Sequence, residues 1–210
     1  MPKVGMEEIR RRQLIDATKA SIHEDGFANT TIARISRRAG LSSGIVAHYF
    51  NDKAGLLEAT LRSIAEDLRI ETVRRLRDAT TPEERLLAVI DANFAPSQFV
   101  PEVVSVWLSY WALVPQTPAL RRVHAINEKR MISNFRHALK PHLPEDKVKA
   151  VATGLAALIE GLWLRCALST AGVTPEEAAG IARDYATGQF KKHAAANQPP
   201  ARQDKIKSAI

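Results

Sequence analysis

Two groups of residues in this 210-residue sequence have the types and spacing for specific chemistry. The first lies between residues 30 and 53, where Ser43, Gly44, Ala47, His48 and Tyr49 fall on or near one face of a short helix. Small side chains at 43, 44 and 47 would let the helix backbone approach base edges in a DNA major groove. Tyr49 and Lys53 can bond phosphates, which sets register but reads no sequence. Thr30, Thr31 and Ser42 stand at the helix starts and complete the candidate DNA contacts. The second group is aromatic and acidic. Trp107, Tyr110 and Trp111 lie at i, i+3 and i+4, while Glu160 and Trp163 share a face of an apolar helix. Ring faces attract a cation and a carboxylate balances its charge, which suits a quaternary ammonium ligand. An aromatic trio at helical spacing is more often core packing than a binding box, and Glu160 could bond a nearby arginine or cap a neighbouring helix. Asp91, Asn93, Asn127 and Asn134 are further polar residues that could line a cavity.

The first group needs two short helices and a sharp turn to hold it. Thr30 or Thr31 can cap the first helix through its hydroxyl. Ile32, Ile35 and Ala39 recur at three- and four-residue steps and give one apolar stripe. Gly40 sits where the helix needs a left-handed residue to stop. Leu41 can pack under the corner, and Ser42 can cap the second helix, in which Ile45, Val46 and Phe50 point inward. The spacing from Ser36 through Gly40 to Ile45 matches a helix-turn-helix. A longer helix precedes it, with Arg10, Arg11 and Arg12 near its start.

The remainder parses into helices separated by proline and cap signals. Helices are expected at about 52–77, 82–93, 102–113, 119–139, 145–169 and 175–192. No run alternates like a strand, so the expected fold class is all-α with about nine helices. The expected division is a DNA-binding unit at 1–52, a helical ligand-binding and dimerisation unit at 53–192, and a disordered basic tail at 193–210. Charge follows this division. Residues 1–50 hold eight Lys/Arg against five Asp/Glu, residues 191–210 hold five against one, and the segment between balances at seventeen each. Basic ends with a neutral middle suit a DNA-binding head joined to a body with another task.

Other classes find little support. One cysteine, Cys166, allows neither an internal disulfide nor a cysteine-rich zinc site. There is no phosphate loop, metal-ligand spacing or nucleophile constellation, so neither an enzyme nor a cofactor nor a metal site is expected. The N-terminus carries no apolar signal segment and no apolar run is expected to cross a bilayer, so a cytoplasmic protein without a membrane partner is expected. Residues 151–168 are apolar nearly all round, so this helix should be covered on most sides. Together with the last helix it is expected to form a homodimer contact.

The pattern Thr-Thr…Ile-Ser…Ala-Gly-Leu-Ser-Ser-Gly…His-Tyr-Phe…Asp-Lys…Leu-Leu resembles the DNA-binding head of TetR-type transcriptional repressors over residues 7–60. Met-Pro-Lys-Val-Gly-Met at the start and Gly-Leu-Ala-Ala-Leu-Ile-Glu-Gly-Leu-Trp-Leu-Arg at 154–165 narrow the resemblance to repressors that respond to choline and control glycine betaine synthesis. The resemblance covers most of residues 1–190. It implies a homodimer on double-stranded operator DNA, with Thr31, Ser43, Gly44, Tyr49 and Lys53 at positions that usually meet DNA. It also implies choline as the effector, and repression of choline uptake and oxidation genes. Ser36, where alanine is usual, and Ala47, where a polar or aromatic contact is common, depart from the family pattern. A regulator of the same fold that senses other lipophilic cations and controls efflux is the alternative. An architectural DNA binder without a ligand is a further one.

Overall fold

A computed structural model describes residues 5–169 and 172–196. Among these residues the fold is all-helical, with nine α-helices and no strand. α1 (Met6–Asp25) leads into α2 (Ile32–Arg38) and α3 (Ser43–Phe50), which form the expected helix-turn-helix. Thr31 caps α2 by accepting from the Arg34 amide at 3.3 Å. Gly40 takes φ +66° between the two helices, a conformation that costs glycine little. Ser42 occupies the cap position of α3, but its hydroxyl makes no capping bond.

These three helices close over a small core of Leu14, Ala17, Ile35, Val46 and Phe50. The sixth member, Leu56, comes from α4 (Lys53–Asp78). α4 therefore begins inside the head core and continues into the body, where Leu61, Ile64 and Ala65 join the larger core. The junction is tight. Asn51 has φ 66° and ψ −56°, and the Asp52 amide donates to the Phe50 carbonyl at 2.8 Å, which together make a classic γ-turn, a strained conformation. Asp52 then caps α4 by accepting from the Gly55 amide at 2.8 Å. A Cβ at position 55 would overlap the Phe50 carbonyl oxygen, so only glycine lets α4 start this close to α3.

Ser36 is nearly inaccessible in the head, and its Oγ has no hydrogen-bond partner. An unsatisfied buried hydroxyl is destabilising. Ser36→Ala is accordingly expected to be neutral or to stabilise the protein by up to about 1 kcal/mol. Urea unfolding measures this, and a clear loss of stability would mean the hydroxyl is bonded in solution.

The body comprises the rest of α4 with α5 (Pro82–Asn93), α6 (Pro101–Leu113), α7 (Pro118–Leu139), α8 (Glu145–Leu168) and α9 (Pro175–Ala196). Thr81 and Glu84 form a reciprocal capping box at α5. α6 and α7 each start one residue earlier than expected, on a proline. Proline suits that position because its fixed φ is helical and its missing N–H would have been unpaired there. α9 runs four residues past its expected end, so residues 193–196 are helical rather than part of a tail. The rest of the expected tail, 197–210, lies outside the described residues.

α8 corrects one expectation. By length and a mean hydropathy of 1.5 it is apolar enough to cross a membrane. In this fold Val148, Ala152, Leu155, Ile159 and Leu162 bury one side of it in the body core, against α7 and α9. Its other side faces outward. Leu168 is 67% exposed, and Ile181 and Tyr185 of α9 are also exposed.

Candidate DNA-reading face and aromatic cavity

At the head, Thr31, Ser42, Ser43, Gly44, Ala47 and His48 are all exposed. They belong to the start of α2, the turn before α3 and the open side of α3. Tyr49 is partly buried, with its ring 4.8 Å from that of His48. Lys53, at the first turn of α4, is half-buried with its ammonium 5.2 Å from the centre of the Phe27 ring. Thr30 does not join them. It is fully buried and its hydroxyl donates to the Gly26 carbonyl at 2.9 Å, tying the α1–α2 corner instead of reaching outward.

The arginines of the head separate into committed and free ones. Arg38 makes a bidentate pair with Glu24, both bonds at 2.7 Å, and Arg34 reaches Asp25 at 3.2 Å. These pairs join α2 to the end of α1 at the surface. Arg37 is exposed with no carboxylate in ion-pair range among the described residues, a phosphate-binding candidate that the pattern of small α3 residues did not single out.

Arg11 was also missed as more than one of three basic residues in a row. Its guanidinium donates to the Tyr49 carbonyl at 2.7 Å and lies 4.5 Å from the centre of the Phe50 ring. A cation at the last carbonyls of a helix complements its dipole and occupies an otherwise free acceptor. Arg11 thus fixes the end of α3 to α1. Arg11→Ala is expected to lower operator affinity about tenfold without changing base preference, because it loosens the whole α3 helix and touches no base. Fluorescence anisotropy on operator and scrambled duplexes checks this, and an affinity within twofold of wild type would remove Arg11 from the positioning of α3.

In the body, α6, α7 and α8 bring aromatic and acidic residues to one cavity of about 50 Å³, several times the space one water needs. Trp107, Trp111, Glu160 and Trp163 line it, as the sequence pattern suggested. Trp111 meets Trp163 edge-to-face at 5.0 Å, and Trp107 lies 6.3 Å from Trp111. Tyr110 is the correction. It is buried beside the cavity without lining it, its ring 6.0 Å from that of His124, and its hydroxyl donates to the Leu120 carbonyl at 3.1 Å. Desolvation pushes its phenol well above its ordinary range. Its ring supports Trp107 edge-on at 5.6 Å, and a separate small cavity holds its other face. Three residues of helical spacing share a broad face, but the cavity takes only part of that arc.

α7 supplies the rest of the lining, of which the sequence pattern offers only Asn127. His124, Asn127, Glu128 and Met131 line the opposite wall at i, i+3, i+4 and i+7. That polar stripe at helical period was visible in the sequence, and it was the available signal. Gln98 and Asn93 also line the cavity. Gln98 is buried in a 3₁₀ turn (Pro96–Gln98), where no periodicity announces it. Asp91 does not reach the cavity: Arg183 of α9 binds it at 2.6 Å. Asn134 lies on an adjoining groove.

Glu160 is the chemical centre of the cavity. Burial raises its pKa above the ordinary carboxylate range. His124 opposes that shift by attraction and Glu128 adds to it by repulsion. Among the described residues no arginine lies in ion-pair range of it and it caps no helix. A half-buried carboxylate without a partner is costly, and a cation placed among the tryptophans would remove that cost.

Sequence comparisons follow the same division. A model of bacterial regulatory proteins of the tetR family matches residues 14–60, and a model of the BetI-type transcriptional repressor C-terminal region matches residues 82–191. HTH-type transcriptional regulator BetI of Pectobacterium carotovorum is 45% identical over 194 residues, spanning 91% of this chain and 100% of that protein. The BetI regulator of Burkholderia pseudomallei is 47% identical over 186 residues, or 88% of this chain and 95% of its own. Among solved structures, a transcriptional regulator from Pseudomonas aeruginosa superposes with a TM-score of 0.78 at 23% identity, covering 91% and 95% of the two chains. A regulator from Saccharomonospora viridis, solved in complex with choline, gives 0.73 at 21% identity over 86% and 96%. These two share the fold with this chain. A regulator of transcription and not an enzyme, this chain belongs to the TetR family of DNA-binding proteins as a BetI-type repressor.

Proposed function

We propose that this repressor controls genes for choline uptake and for choline conversion to glycine betaine, and that choline in the tryptophan-lined cavity releases it from its operator. The observation that carries this is Glu160, an unpaired carboxylate facing three indoles. Indole faces and a carboxylate together attract an organic cation, and an aromatic lining is the recurring means of holding a quaternary ammonium. The Saccharomonospora regulator with bound choline supports the same ligand in a protein of this fold.

The protein works as a cytoplasmic homodimer in this proposal. Residues 1–52 read DNA through Thr31, Ser42, Ser43, Gly44, Ala47, His48, Tyr49 and Lys53, and residues 53–192 sense the ligand and dimerise. The exposed apolar side chains of α8 and α9, including Leu168, Ile181 and Tyr185, suit a two-fold contact. Paired heads would then meet half-sites about one DNA turn apart. Choline shifts the equilibrium towards a head spacing that fits the operator poorly. α4 is the natural lever, because Leu68 lines the cavity and Leu56 belongs to the head core.

An operator titration with and without saturating choline tests this directly. A coupling of about 1–3 kcal/mol gives roughly a 5–150-fold loss of affinity. Parallel titrations with glycine betaine and a bulky dye cation separate the alternatives. Unchanged affinity in choline, with release by the dye, would replace the choline assignment with a general lipophilic-cation sensor. No response to any of them would leave a ligand-free DNA binder.

A further inference from the structure

The cavity does not end at its walls. Leu68, Asn93, Asn127 and Met131 also line a groove of about 470 Å³ between α4, α5 and α7. The two spaces therefore adjoin across shared side chains, yet their chemistry is opposite. The cavity lining includes Glu128 and Glu160 and neither lysine nor arginine. The groove lining includes Arg69, Lys129 and Arg130 and no carboxylate. Its apolar lining includes Val73, Leu76, Val89 and the exposed Ile126.

The three cations are not equivalent. Arg69 spends its guanidinium on Glu66, with bonds at 2.7 and 2.6 Å. Lys129 and Arg130 have no carboxylate in ion-pair range among the described residues. An acidic aromatic chamber joined to a basic-rimmed apolar groove matches a molecule with a cationic head, an anionic group next to it and an aliphatic extension. Choline satisfies only the first of these.

We propose that the two spaces form one elongated site for a free choline phosphoester. The quaternary ammonium occupies the tryptophan–Glu160 chamber, the phosphate lies towards Lys129 and Arg130, and an alkyl substituent follows the apolar lining of the groove. This extends the proposed choline site and rests on it. Phosphate is favoured over a carboxylate as the anion because a lysine ammonium beside an arginine fork offers more donors than two carboxylate oxygens use, which suits a group with several acceptor oxygens.

Isothermal titration of the full chain with choline, phosphocholine and hexylphosphocholine tests the proposal. Both esters are expected to bind at least tenfold more tightly than choline. The hexyl ester should be tighter than phosphocholine, by about threefold to fourfold for each methylene that the groove covers. In the Lys129→Gln/Arg130→Gln variant, whose changed side chains are at the surface, the gain from phosphate should vanish while choline affinity stays within twofold. Equal affinity for choline and its esters overturns the extended site and leaves the choline site standing. A phosphate gain that persists in the double variant overturns the placement of the anion, and with it the proposal. Association with phosphatidylcholine vesicles without binding of the free esters overturns it in favour of a membrane surface. If none of the three ligands binds, the choline assignment itself fails and the extension falls with it.

Discussion

Replacing Glu160 with glutamine is expected to weaken choline binding about 10–100-fold while leaving operator affinity of the ligand-free protein unchanged. The substitution keeps the shape of the side chain and removes only its charge. The tryptophan faces remain, so residual binding should persist at the level that cation–π attraction supplies. Calorimetry with choline and anisotropy with operator DNA measure the two halves separately. Loss of DNA binding along with choline binding would instead assign Glu160 a structural role.

Acidity should act on the same group in a determined direction. Burial holds the Glu160 pKa above its ordinary value. Its carboxyl therefore takes up a proton at a higher pH than an exposed glutamate does. Choline affinity should fall as pH drops through that raised value, since a neutral acid no longer balances the cation. Stability of the ligand-free protein runs the other way. Between the unfolded and the raised folded pKa the native state binds more protons than the unfolded chain, so this residue's contribution worsens as pH rises through that window. Glu160→Gln should then melt higher than wild type at pH 8 without ligand, and should gain less from added choline. A lower melting temperature for the variant under those conditions would contradict the desolvated, unpaired carboxylate.

Phe135→Ala is expected to cost about 3–5 kcal/mol of unfolding free energy, the largest stability effect among the substitutions considered. Phe135 is completely buried, with the greatest volume among such side chains in the described residues. It lies on α7, whose neighbouring residues line both the aromatic cavity and the groove. Truncation removes both the transfer energy of the ring and its packing contacts. For a chain of this size the melting temperature should drop by about 6–20 °C. Denaturant unfolding and calorimetry check the loss, and a change below about 1 kcal/mol would mean that the body collapses freely around the missing ring. The head core does not include this residue, so a truncated body should fail before the helix-turn-helix does.

The legible parts of this protein were the ones that local chemistry controls. Thr31, Gly40, Asp52, Thr81 and the prolines at 82, 101 and 118 act within a turn of their own position. Helix starts, stops and the exposed face of α3 therefore follow from sequence spacing alone. Trp111, Glu160 and Trp163 were also accessible, because an uncompensated carboxylate on an apolar helix is conspicuous wherever the helix goes. Thr30 and Tyr110 show where spacing fails. Each has a hydroxyl that a ligand or DNA could use, yet one is bound to Gly26 and the other to Leu120. A face of a helix is wider than a cavity, and periodicity does not say which part of it a neighbour covers.

Sequence by itself determined that this chain is an all-α reader of DNA with an aromatic–acidic body, since those properties rest on caps, periodicity and residue chemistry. Only the tertiary structure decided that α7 closes the cavity with His124, Glu128 and Met131, that Arg11 holds the end of α3, and that a basic groove adjoins an acidic chamber. Those arrangements depend on packing between helices far apart in the chain, and a one-dimensional pattern contains no distance between them.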